Sequence, residues 1–180
     1  MQPWKTRDRV VVLDRGKFLR AEDHIVQLPD GTTIEQWPWL VLPEYVNVIP
    51  ETTDGKFLLF RQTKYAVGGV TLAPVGGYCE PGEDPGEAAV RELREETGYS
   101  AEEWIDLGHY VVDGNRGAGK AHLYYARGAR HTSERSADDL EEQELLMLSR
   151  TQLRRVLEDG EVKVLSWAAC IAMALMYKNP

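Results

Sequence analysis

The sequence predicts an α+β fold, and three observations predict it. Residues 9–50 alternate short β-branched runs with turn signals, residues 84–98 carry a full set of helix-boundary residues, and two helical patterns close the chain. At 180 residues the chain fits one domain with a small extra lobe and can bury a substantial core. The expected division is a β lobe over residues 1–44 and a main domain over residues 45–180.

In chain order, Val10, Val11 and Val12 mark a first strand, Asp14 to Gly16 a turn, residues 25–28 a second strand, and Pro29, Asp30 and Gly31 a strong turn. Residues 32–42 mix β-formers with Trp37 and Trp39, and residues 45–49 form another strand. Residues 56–60 read as a buried strand ending at Arg61 and Gln62, with Lys64 just beyond. The central helix is bounded by Asp84 as N-cap, Pro85 at its first position, Glu87 in its first turn and Gly98 at its left-handed end. Ala89 and Leu93, with Val90 beside them, supply its apolar stripe.

Residues 102–112 read as a strand, and residues 113–120 as a glycine-rich loop. Gly114, Gly119 and Lys120 fit the spacing of a phosphate-binding loop, but Ala121 replaces the required hydroxyl and residues 121–126 read as a strand where a helix is needed. Arg116 and Lys120 remain as candidate phosphate contacts or as plain surface cations. Residues 131–144 are polar and acidic, residues 145–148 form a strand, residues 151–159 a helix ended by Gly160, and residues 165–177 a more apolar helix.

Composition bounds the function. With 43% hydrophobic and 28% charged residues the chain reads as a soluble globular protein, and its net charge of −8 opposes binding to a nucleic-acid polymer or an anionic membrane surface. No signal-like apolar segment opens the chain, and residues 164–177 fall short of the ~20 residues of a spanning helix. A cytoplasmic protein is expected. Cys79 and Cys170 form no metal or disulfide spacing.

Glu92, Glu95 and Glu96, at i, i+3 and i+4, fall on one helical face. Clustered like charges weaken a helix unless a cation sits among them. A hard divalent cation such as Mg2+ takes carboxylate oxygens and keeps sites for water and phosphate. Arg91 and Arg94 offer the alternative, neutralisation without a metal.

Gly77, Glu83, Arg91, Glu92, Leu93, Glu95, Glu96 and Gly98 match the box of the Nudix hydrolases, with Tyr99 where an aliphatic residue is more usual. The chain is therefore identified as resembling that family. The β-rich N-terminal residues and the Arg61-Gln62 context resemble its ADP-ribose pyrophosphatase branch. Two departures stand out: Lys64 replaces an arginine, which loses the bidentate fork, and Leu72, Ala73 and Pro74 lack the acidic residue of that branch's signature.

The resemblance implies an α/β/α sandwich, a mixed sheet carrying the catalytic helix, with a small antiparallel N-terminal lobe and a homodimer. It implies hydrolysis of the pyrophosphate bond of ADP-ribose or another nucleoside diphosphate sugar, a nucleotide-type substrate, using Mg2+ or Mn2+. Its expected metal ligands are Glu92, Glu95, Glu96 and the Gly76 carbonyl. Glu141, ahead of Glu142 and Glu144, is the expected base, with Glu95 as alternative. Arg91 orients the glutamates and Glu83 supports it, while Arg61, Lys64, Arg116, Trp37 and Trp39 are candidate substrate contacts, the tryptophans as a platform for adenine. Another nucleoside diphosphate derivative, or a non-catalytic nucleotide sensor, are the competing readings.

Overall fold

A computed structural model describes residues 1–136 and 142–178, which fall into two units, Met1–Glu44 with Tyr110–Lys120, and Tyr45–His109 with Ala121–Pro180. In chain order the elements are β1 (Lys5–Asp14), β2 (Arg20–Gln27), β3 (Thr33–Val41), β4 (Tyr45–Thr52), β5 (Lys56–Thr63), β6 (Val70–Ala73), α1 (Pro85–Thr97), β7 (Tyr99–Ser100), β8 (Glu103–Asp113), β9 (Gly117–His131), β10 (Gln143–Ser149), α2 (Arg150–Glu158) and α3 (Leu165–Met176).

In the first unit β1, β2 and β3 form an antiparallel meander. Its turns are closed by aspartates: Asp14 accepts from the Gly16 N–H at 2.7 Å, and Asp30 from the Thr32 N–H at 2.9 Å. Along β2 every second residue is buried, so Glu22, His24 and Val26 face inward. Glu22 is kept charged there by His24 Nε2 at 2.8 Å and Arg20 Nε at 2.7 Å, and the His24 bond is the main cause of its lowered pKa. No residue of β1 is buried, and among the described residues it pairs with β2 alone.

The glycine-rich stretch differs from the loop expected over residues 113–120. Asp113 accepts from the N–H groups of Asn115 at 2.8 Å and Arg116 at 2.9 Å, which tightens the chain into a short turn, and β9 already begins at Gly117. Lys120 thus stands on a strand, paired with Glu44 at 3.0 Å.

In the second unit β4 runs parallel to β9, while β5 is antiparallel to β6 and β10. Isolated bridges Val48–Val75 and Tyr45–Tyr78 carry the chain beyond β6 along β4. Strand alternation gives this mixed sheet two apolar faces. Val46, Val48, Phe60 and Val75 pack with Ala88, Ala89 and Leu93 of α1, and Ile49, Phe57, Leu59 and Leu123 pack with Leu153 of α2 and Cys170, Ile171 and Ala174 of α3. Helix, sheet and helix therefore stack as layers, the α+β sandwich expected. Val90 departs from expectation: it is 49% exposed, and Ala88 takes the inward position because the stripe follows the 3.6-residue period. Among the described residues no helix is long and apolar enough to cross a membrane.

Candidate active site

Asp84, Pro85 and Gly98 delimit α1 by local chemistry. Asp84 accepts from Gly86 N–H at 2.8 Å and Glu87 N–H at 3.3 Å, Pro85 opens the helix, and Gly98 closes it at φ 74°, its N–H donating to Arg94 O at 2.8 Å. With Ala88, Ala89 and Leu93 fixed on the sheet, the glutamates fall beside the strand end that carries Gly76 and Gly77. Glu96 is only 8% exposed and accepts from the Gly76 N–H at 2.9 Å, which ties the helix to that strand end. Glu92 lies against Gly77 so closely that a Cβ at 77 would overlap its carboxyl group.

Arg91 organises the acidic side. Its Nε and Nη2 grip both Glu83 oxygens at 2.8 and 2.9 Å, Nη1 donates to Glu92 at 2.8 Å and Glu95 at 3.1 Å, and Nη2 also reaches Tyr78 O at 3.1 Å. This bidentate fork lowers the Glu83 pKa to about 2 and, with Glu83 as the largest cause, raises that of Arg91. Burial is the main influence on Glu92 and raises its pKa, while Arg91 opposes the rise.

Glu92, Glu96, Gly76 and Gly77 line a cavity of about 230 Å³ together with Asn47, Phe60, Gln62, Lys64, Pro74, Gln143 and Trp167. Lys64 is thus brought to the carboxylates across the sequence. Asn47, Gln62, Gln143 and Trp167 were not anticipated from sequence. The signal for Asn47 was a carboxamide inside an otherwise apolar strand run. Arg135 is a further unanticipated cation: it sits 5.3 Å over the Phe60 ring and donates to Gln143 at 3.0 Å. The next residue is tied to α1, with Ser136 N–H donating to Glu95 O at 3.0 Å.

Other expected residues lie elsewhere. Arg61 is exposed and pairs with Glu144 at 3.2 Å across the β5–β10 ladder. In the first unit, Trp37 donates its indole N–H to Asn115 O at 2.7 Å, Trp39 stacks on His24 at 5.2 Å, and Arg116 approaches Asp113 at 3.7 Å. Trp39 also lines a first-unit cavity of about 200 Å³ with Leu42, Glu44, Val111 and Lys120. Glu141 lies outside the described residues.

The donor set is all oxygen, as a hard cation requires, and two of its carboxylates share one cavity. Among the described residues no three side chains converge as a ready metal cluster, because Arg91 holds Glu92 and Glu95 and the Gly76 N–H holds Glu96. The residues fit a divalent cation in chemistry, with Arg91 as its competitor for Glu92 and Glu95.

The NUDIX domain model matches residues 41–168. The methanol dehydrogenase activator of Bacillus methanolicus is 29% identical over 143 residues, 79% of this chain and 76% of that protein. The ADP-ribose pyrophosphatase of Bacillus subtilis (strain 168) is 26% identical over 163 residues, 90% of this chain and 85% of that protein. A crystal structure of an ADP compounds hydrolase has the same fold, with a TM-score of 0.75 at 19% identity, covering 94% of this chain and 93% of that one.

Proposed function

This chain belongs to the Nudix family, and from that premise we propose that it hydrolyses the pyrophosphate bond of ADP-ribose or a related nucleoside diphosphate sugar, giving a nucleoside monophosphate and a sugar phosphate. The observation that carries the proposal is the shared cavity of Glu92, Glu96, Gly76, Gly77 and Lys64 beside the Arg91 clamp. Similarity to an ADP-ribose pyrophosphatase over 90% of the chain supports the substrate class.

Glu92, Glu95, Glu96 and the Gly76 carbonyl are the proposed ligands of Mg2+, with Mn2+ as the alternative. Such a cation, when bound, supplies charge neutralisation at phosphate oxygens and lowers the pKa of water. Lys64 offers its charge to the same phosphate. Arg91, anchored on Glu83, orients Glu92 and Glu95 through its Nη1. Glu95 or Glu141 takes the proton from the attacking water, which needs a carboxylate within hydrogen-bond reach.

Arg61 is a proposed substrate contact of the second unit, and Trp37, Trp39 and Arg116 of the first. The lobe over residues 1–44 is proposed to make a homodimer through β1, and the protein is proposed to be cytoplasmic. A second reading, another nucleoside diphosphate derivative, is favoured by Leu72 and Ala73: both are buried where the branch signature carries its acidic residue.

Phosphate release in a phosphatase-coupled assay, with and without Mg2+, tests the proposal on ADP-ribose, other nucleoside diphosphate sugars, diadenosine polyphosphates and nucleoside triphosphates. Metal-dependent cleavage led by ADP-ribose is expected. Cleavage of another class alone selects the second reading, and silence across the panel leaves a nucleotide sensor.

A further inference from the structure

Three buried side-chain atoms have no hydrogen-bond partner among the described residues: Asn47 Nδ2, Gln62 Oε1 and Ser166 Oγ. Two of the three belong to residues that line the carboxylate cavity. Asn47 is 3% exposed and Gln62 6%, so bulk solvent hardly reaches either side chain. Their backbones are held by the sheet: Asn47 pairs with Leu123, and Gln62 pairs with Thr71 on one side and Gln143 on the other.

A buried amide atom left unbonded lowers stability, and an apolar residue of the same shape would serve the fold better. Asn47 interrupts an otherwise apolar strand run, where local β-propensity does not call for it, and Gln62 is buried between the exposed Arg61 and Thr63. Groups of this kind, held rigid and unsatisfied in the wall of a polar cavity, gain their partner from a ligand.

We propose that Asn47 and Gln62 are substrate-contacting residues that recognise a diphosphate group and a hydrogen-bond donor bound beside it. An amide N–H has no acceptor capacity, so Asn47 Nδ2 takes an anionic phosphate oxygen. The Gln62 oxygen takes a water or a sugar hydroxyl. The inference rests on the reading of this cavity as a site for a nucleoside diphosphate derivative.

The test uses the full chain with Asn47→Leu and Gln62→Met, which keep volume and remove the polar atoms. Thermal melting of each variant at or above the wild type, with kcat/KM for pyrophosphate-bond cleavage lowered about tenfold or more, is the expected result. Lower melting with kcat/KM unchanged overturns the inference, because the amides then serve the fold. If leucine at 47 does not fold, Asn47→Ala removes the donor without adding charge, and kcat/KM is read for it by itself.

Turnover is not the only probe. Inorganic pyrophosphate with Mg2+ should raise the melting temperature of the wild type and not of the variants. That pattern in a wild type without turnover keeps the inference and removes the proposed activity. An equal rise in wild type and variants, or no rise in any of them, overturns the inference whatever the activity.

Discussion

Gly77 lies against the Glu92 carboxyl group, at a separation that leaves no room for a side chain at position 77. Its neighbour Gly76 is crowded by something different: a Cβ there would overlap the Val46 carbonyl oxygen and stand 3.1 Å from Asn47 Cα. Adjacent glycines thus guard a movable carboxylate and a rigid strand. Gly77→Ala should displace Glu92, leave melting nearly unchanged and cut turnover by roughly a hundredfold, the scale of a misplacement of about 1 Å. Gly76→Ala should lower melting or prevent folding. Circular dichroism melts beside steady-state rates separate the two, and a fully active Gly77→Ala protein would remove Glu92 from the site.

Glu95→Gln and Glu96→Gln keep the shape of their side chains and lose charge. In Glu96→Gln the amide oxygen still accepts from the Gly76 N–H, so the tie between helix and strand survives. Metal-dependent turnover should fall about a hundredfold or more in each variant, with the fold intact. Near wild-type rates in both would sink the site assignment.

Glu83 gives a pH signature. Arg91 depresses its pKa from 4.5 to about 2, so the native state favours the carboxylate. The stability this provides is complete above pH 4.5 and is lost as pH falls towards 2. Urea midpoints measured from pH 6 to pH 2.5 should fall further in the wild type than in Glu83→Gln. Comparing the two proteins removes the opposite contribution of Glu92, whose raised pKa favours the native state when protonated. Parallel curves would mean that the Glu83–Arg91 fork is not formed in solution.

Asp84→Ala removes both N-cap bonds of α1, and Asp84 does not line the carboxylate cavity. The expected cost is about 1 kcal/mol of stability, with turnover unchanged. Calorimetry should show a drop of roughly 2–4 °C, the size of that loss in a chain of this length.

The exposed edge of β1 tests the dimer. Val10, Val11 and Val12 are each more than half exposed, on a strand that among the described residues has its backbone partners in β2 alone. Light scattering should give about twice 20.4 kDa for the wild type, and a lower mass for Val11→Lys. A wild-type mass near 20.4 kDa removes the dimer.

Much of this molecule is written in short spacings. Asp84, Pro85 and Gly98 set the helix boundaries because each acts on backbone groups within a few residues, and Arg91 meets Glu95 because i and i+4 share a helical face. Those interactions need only the local chain, so the helix, its acidic face and the family resemblance could all be read from the residues alone. Turn aspartates at 14 and 30 were legible for the same reason.

The cavity was not. Asn47, Gln62, Gln143 and Trp167 come from β4, β5, β10 and α3, and their meeting depends on strand order and on which face each strand turns inward. Residues 113–120 looked like a loop because glycine-rich composition conceals strand pairing, whereas Asp113 shortened it to a turn. Val90 lies outside the apolar stripe and Ala88 inside it because composition does not set the phase of a helix against a sheet; packing does. Local spacings therefore named the carboxylates, and only the packing of distant strands supplied the wall of unsatisfied amides that faces them, since burial is a property of the assembled layers and of no single segment.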